Sequence, residues 1–175
     1  MPLYLIELKP AEATRESVGD LIERVVSAVG SGDGELIETQ VTSDHRIVFV
    51  VVEADSPRFA SPVVKAVEGS AEIAGPDEVR LVGAELDDIK KLKSHADYLV
   101  EWDIPAEITM DQYLARKKAN SPKYAEVPEV SFLRTYVRED TAKCLCFYDA
   151  PDEDAVTRAR AAVQTPIDRL FKLDV

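Results

Sequence analysis

A short run near the start of this chain recurs near its middle, and that repetition limits what the chain can fold into. Tyr4-Leu5-Ile6-Glu7-Leu8-Lys9, followed by Pro10-Ala11-Glu12-Ala13-Thr14, matches Tyr98-Leu99-Val100-Glu101-Trp102-Asp103, then Ile104 and Pro105-Ala106-Glu107-Ile108-Thr109, with one inserted residue. Later echoes keep the same order. Val52-Glu53-Ala54-Asp55 pairs with Tyr148-Asp149-Ala150-Pro151, and Gly75-Pro76-Asp77 with Thr165-Pro166-Ile167. Ordered self-similarity of this kind means one supersecondary unit built twice.

The periodicities say which unit. Leu3 to Leu8 is a short apolar strand, and Val18, Leu21, Ile22, Val25, Val26 and Val29 then recur at helical spacing. Gly30-Ser31-Gly32-Asp33-Gly34 closes that helix, so the glycine-rich stretch follows a helix rather than opening one and is a loop, not a phosphate cradle. Glu35 to Thr42 and Ile47 to Val52 read as strands joined at Ser43-Asp44. Ser56-Pro57 and Ser61-Pro62 open a second helix, and Val79 to Ala84 reads as the fourth strand. The second copy follows the same order. Thr109 and Gln112 form a capping-box pair, Val130 to Val137 and Lys143 to Tyr148 are strands, Asp152 to Val163 is a helix and Asp168 to Leu173 the last strand.

The expected fold is therefore α+β: two tandem ferredoxin-like βαββαβ repeats, residues 1–86 and 97–175, joined by a linker or short helix within 87–96. Each unit covers one sheet face with its helices. Two antiparallel sheets packed face to face as a pseudo-dimer, like a dimeric α+β barrel, would bury the open faces; separate halves are the alternative.

Ser131-Phe132-Leu133-Arg134-Thr135-Tyr136-Val137, Lys143-Cys144-Leu145-Cys146-Phe147-Tyr148-Asp149-Ala150-Pro151-Asp152-Glu153 and Thr165-Pro166-Ile167-Asp168-Arg169 resemble the small nickel-responsive, ferredoxin-like bacterial proteins, a group that is largely a domain of unknown function. The resemblance is clearest over residues 97–173. It implies a ferredoxin-like fold, dimeric sheet packing, hence a homo-oligomer, and nickel binding. Where that family carries a His-Ala pair in its last helix, this chain has Arg158-Ala159-Arg160-Ala161-Ala162-Val163-Gln164. The resemblance therefore assigns no nickel ligand here.

Charge removes one class of partner. A net charge of −12 argues against nucleic acid, which needs clustered Lys and Arg. No apolar run approaches the ~18 residues of a membrane helix, and the first residues read as a strand rather than a signal peptide. Cys144 and Cys146, the two cysteines, share a strand face in a Cys-x-Cys spacing poorly suited to a disulfide. That points to a reducing, cytoplasmic setting. The pair could bind a soft metal or act in redox chemistry, but reads better as core packing. His45 and His95 read as isolated polar residues, since neither has a ligand spacing around it.

Two groups of residues are candidates for a site. Glu7 and Glu101 occupy matching places in the two first strands; facing one cavity they would make paired metal ligands, while at a solvated strand end they would be surface. Arg134 and Tyr136 share a face with Phe132, and Tyr148 shares one with Cys144 and Cys146. On an inner face, Arg134, Tyr136 and Tyr148 would be the polar tips of a ligand pocket; lying flat over the sheet they would be packing residues. The preferred function is a binding protein for a divalent, nickel-like metal ion or small ligand between the repeats. The alternatives are an α+β-barrel enzyme acting on an aromatic or polyketide-like molecule and a protein-interaction module.

Overall fold

Thr14 turns the chain from its first strand, β1 (Leu3–Pro10), into its first helix, α1 (Arg15–Ser31). Its hydroxyl accepts the Ser17 N–H at 3.1 Å, satisfying one of the orphan donors of the first turn. In this computed structural model, which describes residues 1–92 and 95–174, α1 buries Val18, Leu21, Val25, Ala28 and Val29 along one stripe. There follow β2 (Glu35–Val41), β3 (Val48–Glu53), a 3-10 turn at Pro57–Phe59, α2 (Ala60–Val67) and β4 (Ala71–Val82). The strand order in this first unit is β2-β3-β1-β4, with the β2–β3, β3–β1 and β1–β4 pairs antiparallel.

The core of the unit forms because β1 and β3 put Tyr4, Ile6, Leu8, Val48, Val50 and Val52 on the face that α1 and α2 cover. Each such side chain, fully buried, contributes roughly 1.5–3 kcal/mol. The alternate residues Leu3, Leu5, Phe49 and Val51 are buried as well, which explains why β3 reads as an unbroken apolar run rather than an alternation.

One expectation is corrected: the fourth strand begins at Ala71, not Val79. β4 carries Gly75-Pro76 through a shift of register opposite Leu5 and Glu7. Leu86–Leu92 is a helix, α3, that buries Ile89 and is tied to the first unit by Lys90, whose ammonium lies 2.9 Å from Glu53 and 3.3 Å from Glu35. Residues 93 and 94 of the expected linker lie outside the described residues.

The second unit comprises Arg80–Glu85 and His95–Leu173. Its elements are β5 (Tyr98–Asp103), α4 (Met110–Asn120), a 3-10 stretch at Ser121–Glu126, β6 (Ser131–Arg138), β7 (Lys143–Asp149), α5 (Glu153–Ala162) and β8 (Arg169–Lys172). The order is again βαββαβ, and the strands lie in the order β6-β7-β5-β8 with antiparallel neighbours. Thr109 and Gln112 complete the capping box of α4 reciprocally, and Asp152 caps α5 by accepting the Ala155 N–H at 2.8 Å. Small residues on the inner face of α5, Ala155 and Ala159, let that helix sit close to the sheet over Val100, Cys144, Cys146 and Tyr148. Among the described residues no helix is long and apolar enough to cross a membrane.

Candidate functional site

The register between β6 and β7 decides which side chains meet. It slips by one residue at Leu133, so that Phe132 opposes Tyr148 while Arg134 opposes Phe147, Thr135 opposes Cys146 and Tyr136 opposes Leu145. Directly opposed residues share a face. Phe132 therefore lies on the helix-covered face, where its ring meets Tyr148 at 5.9 Å and stacks on Tyr124 at 5.5 Å. Arg134 and Tyr136 lie on the other face, with the Arg134 guanidinium 4.8 Å from the Phe147 ring centre and the Tyr136 ring edge-on to Phe147 at 5.8 Å. The bulge thus separates Arg134 and Tyr136 from Tyr148. The three sequence candidates do not line one pocket, and Phe132 does not share a face with Arg134.

Glu7 and Glu101 sit in different environments. Glu7 is half-buried on β1, opposite Phe49. Glu101 is buried on β5 and committed to cations: its carboxylate accepts from Arg169 Nε and lies 3.9 Å from Lys143 Nζ. Arg169 also reaches Asp103 at 3.0 Å.

A recess opens on the helix-covered face of the second unit, between α4 and α5. Counted to its mouth it holds about 360 Å³, but its inner space is only about 20 Å³, room for a molecule of about the size of water. Trp102, Tyr113 and Tyr124 wall it, Lys117 stands at its rim, and Cys144, Cys146 and Arg160 form its inner end. Arg160 is 2 % exposed. It donates through Nη1 to Tyr148 Oη at 3.1 Å and to Cys146 Sγ at 3.4 Å, and through Nη2 to the Pro166 carbonyl at 2.6 Å. Its Nε–H is buried without a partner. The Tyr148 and Tyr124 hydroxyls are hydrogen-bonded to each other at 2.6 Å, and Thr135 Oγ1 donates to Cys146 Sγ at 3.1 Å.

The electrostatics follow from this packing. A hydrogen bond from the Cys144 thiol, helped by Lys117, Arg160 and Thr135, pulls the Cys146 thiol well below its usual value despite burial. Bonding to Cys146 and burial push Cys144 up. Burial raises Tyr113 and Tyr148, and takes Tyr124 to about 12. The surroundings at the inner end therefore favour ionisation of Cys146 over that of Cys144. Sequence spacing could place the two sulfurs on one face; it could not supply Arg160, which comes from a helix that reads as amphipathic surface.

A second cluster lies where β5 begins and β7 ends. The Tyr98–Tyr148 pairing sets Asp97 beside Asp149, and the Asp97 N–H bonds the Tyr148 carbonyl at 3.0 Å. His95 Nε2 is 3.2 Å from Asp97 Oδ1. Ligand atoms of His95, Asp97 and Asp149 all lie within 4.8 Å of one another. Asp97 Oδ2 is held by the Ala150 N–H at 3.1 Å, while Asp149 Oδ1 is buried without a hydrogen-bond partner. His95 is thus not an isolated polar residue. The available signal was the antiparallel pairing of the first and third strands of the unit, which joins the ends of two runs remote in sequence.

Residues 98–173 match the family model described as nickel responsive protein, SCO4226-like. No curated protein matches the chain. Among solved structures, one described as "Putative Chlorite dismutase TA0507" superposes with a TM-score of 0.58 at 12 % identity, covering 99 % of this chain and 96 % of its own. One described as a "putative monooxygenase from Lactobacillus acidophilus NCFM" gives 0.54 at 10 % identity, over 99 % and 93 %. A third, a "Putative monooxygenase (FN1347)" from Fusobacterium nucleatum, gives 0.53 at 12 % identity, over 99 % and 92 %. At these identities the likeness shows the fold alone, a mixed α+β chain with antiparallel strands.

Proposed function

We propose that this protein binds a divalent transition-metal ion of the class to which nickel belongs, with His95, Asp97 and Asp149 as its protein ligands. The observation that carries the reading is the approach of one imidazole nitrogen and two carboxylate oxygens to within 4.8 Å of one another, on a set that includes Asp149, whose Oδ1 is buried without a partner. Ligands each about 2.1 Å from one tetrahedral ion lie about 3.4 Å apart, so a pair at the 4.8 Å limit closes by about 1.4 Å when an ion binds. A mixed nitrogen and oxygen set suits borderline ions such as nickel, cobalt and zinc better than soft ones. The Ala150 N–H on Asp97 is the outer contact that holds a ligand carboxylate in place. The family description over residues 98–173 agrees in naming nickel.

This reading moves the metal from Glu7 and Glu101 to the end of β5 and β7. The charge of Glu101 is already offset by Arg169 and Lys143, which leaves little incentive for a further cation. The enzymatic alternative shares its fold class with the solved structures described as monooxygenases, but Arg134, Tyr136 and Tyr148 do not converge on one substrate.

Isothermal titration of chelator-treated protein with nickel, cobalt and zinc tests the proposal. Saturable binding that His95→Ala and Asp149→Asn each weaken by about tenfold or more supports it, because each removes one of three ligands. Binding untouched by both substitutions, or no binding of any of the three ions, overturns it.

A further inference from the structure

The inner end of the recess has no role in the metal reading, and its chemistry is of another kind. A cation is disfavoured there, because the sulfurs face Arg160 and Lys117. What the inner end offers is a buried sulfur with two donors aimed at it.

We infer that Cys146 is a peroxide-reactive thiol: its sulfur, held between Thr135 Oγ1 and Arg160 Nη1 at the inner end of the recess, is placed to attack a small hydroperoxide and become a sulfenic acid. Three features support this. Thr135 and Arg160 both direct hydrogens at the sulfur, at 3.1 and 3.4 Å, and such donors favour the thiolate, which is the nucleophile. Arg160 lines the same recess and keeps a buried Nε–H without a partner, a donor left over for an incoming oxygen. Cys144, whose thiol stays protonated, is the neighbouring acid.

The step balances. A sulfur electron pair of the Cys146 thiolate attacks one oxygen of hydrogen peroxide; the O–O bond breaks as the S–O bond forms. Sulfur is oxidised and peroxide reduced. The departing hydroxide takes the Cys144 proton and leaves as water, so a sulfenic acid and a Cys144 thiolate remain, with total charge unchanged. Arg160 stabilises the negative charge that develops on the departing oxygen.

The test exposes chelator-treated full-length protein to hydrogen peroxide for set times, removes the peroxide, and then unfolds the protein in the presence of a cyclic dione that traps sulfenic acids, because the sulfur is 1 % exposed in the fold; adducts are mapped by peptide mass. The expected result is an adduct on Cys146, formed faster than on the same protein unfolded in urea. Thr135→Val slows its formation by about tenfold, the worth of one hydrogen bond to the reacting sulfur, and Thr135→Ser, which keeps the hydroxyl, restores it. An adduct on Cys144 rather than Cys146 overturns the inference. So does a rate that is the same in folded and unfolded protein, or equal rates in the Val and Ser variants.

Discussion

Thr135 Oγ1 donates a hydrogen bond to Cys146 Sγ across 3.1 Å, from the residue directly opposite it on the neighbouring strand. That bond exists because the bulge at Leu133 turns Thr135, rather than Arg134, toward the helices. It joins a bond from Cys144, which has the largest effect, and the charges of Lys117 and Arg160 in holding the Cys146 thiol down against burial. Below the usual thiol value of about 8.5, Cys146 should therefore remain thiolate while Cys144, pushed up, stays protonated. Small alkylating agents should modify Cys146 first, at a rate that holds steady as pH falls through the ordinary thiol range. Thr135→Val removes one stabilising donor, so the midpoint of the pH–rate curve should rise. Mass-resolved iodoacetamide kinetics read both; equal labelling of the two cysteines, or an unmoved midpoint, contradicts the account.

Gly75 tests the backbone of the first unit. Its φ is +94°, and a Cβ there would lie 2.6 Å from the Leu5 carbonyl oxygen. Both the conformation and the contact oppose any side chain. Gly69 has φ +77° but nothing within 4 Å of a built Cβ. Gly75→Ala should destabilise by about 2–4 kcal/mol and Gly69→Ala by about 1 kcal/mol, the difference being the backbone clash. Urea unfolding of both variants measures it. Equal losses would mean that β1 and β4 separate at little cost.

Much of this fold was legible. The stripe from Val18 to Val29, the β-branched run of β3 and the Thr109/Gln112 box each signal an element through local chemistry. The faces of β6 were not, because face assignment rests on counting by twos and one extra residue inverts the count. Nothing in Ser131-Phe132-Leu133-Arg134 marks Leu133 as the extra one. Counting from Phe132 accordingly put Phe132 on one face with Arg134 and Tyr136 and left Thr135 unnoticed. The cluster of His95, Asp97 and Asp149 depends likewise on a strand pairing, and Arg160 on the depth at which α5 sits over its alanines.

Asp140 gives the chain an acid-sensitive hairpin. Its carboxylate is held below the ordinary 3.8 first by hydrogen bonds from Arg138, against some burial, with the Ala142 N–H and the Arg138 charge adding to the effect. A group whose folded value is lowered stabilises the fold fully above its unfolded value and loses that contribution as pH falls through the folded one. The side chain is 54 % exposed, so solvent screening limits the effect to about 0.5 kcal/mol. Asp140→Asn should lower the melting temperature slightly at pH 7, and the gap to the unsubstituted protein should close as pH falls from the ordinary 3.8 through the lower folded value. A gap that persists at pH 2 would mean that packing, not charge, explains the loss.

Glu101 separates a structural carboxylate from a metal ligand. It is 2 % exposed, and it bonds Arg169 and approaches Lys143. Arg169 is held above the usual guanidinium value chiefly by that hydrogen bond. Glu101→Gln keeps the shape, removes the charge and leaves two cations beside a neutral amide. Because Arg169 is 43 % exposed and keeps Asp103, the loss should fall short of that for a fully buried pair, about 2 kcal/mol. Nickel affinity should be unchanged, since the substitution touches none of His95, Asp97 or Asp149. Urea denaturation and metal titration on the same variant decide between the roles. A drop in stability with full metal binding assigns Glu101 to the scaffold; intact stability with lost binding would return the metal to β5.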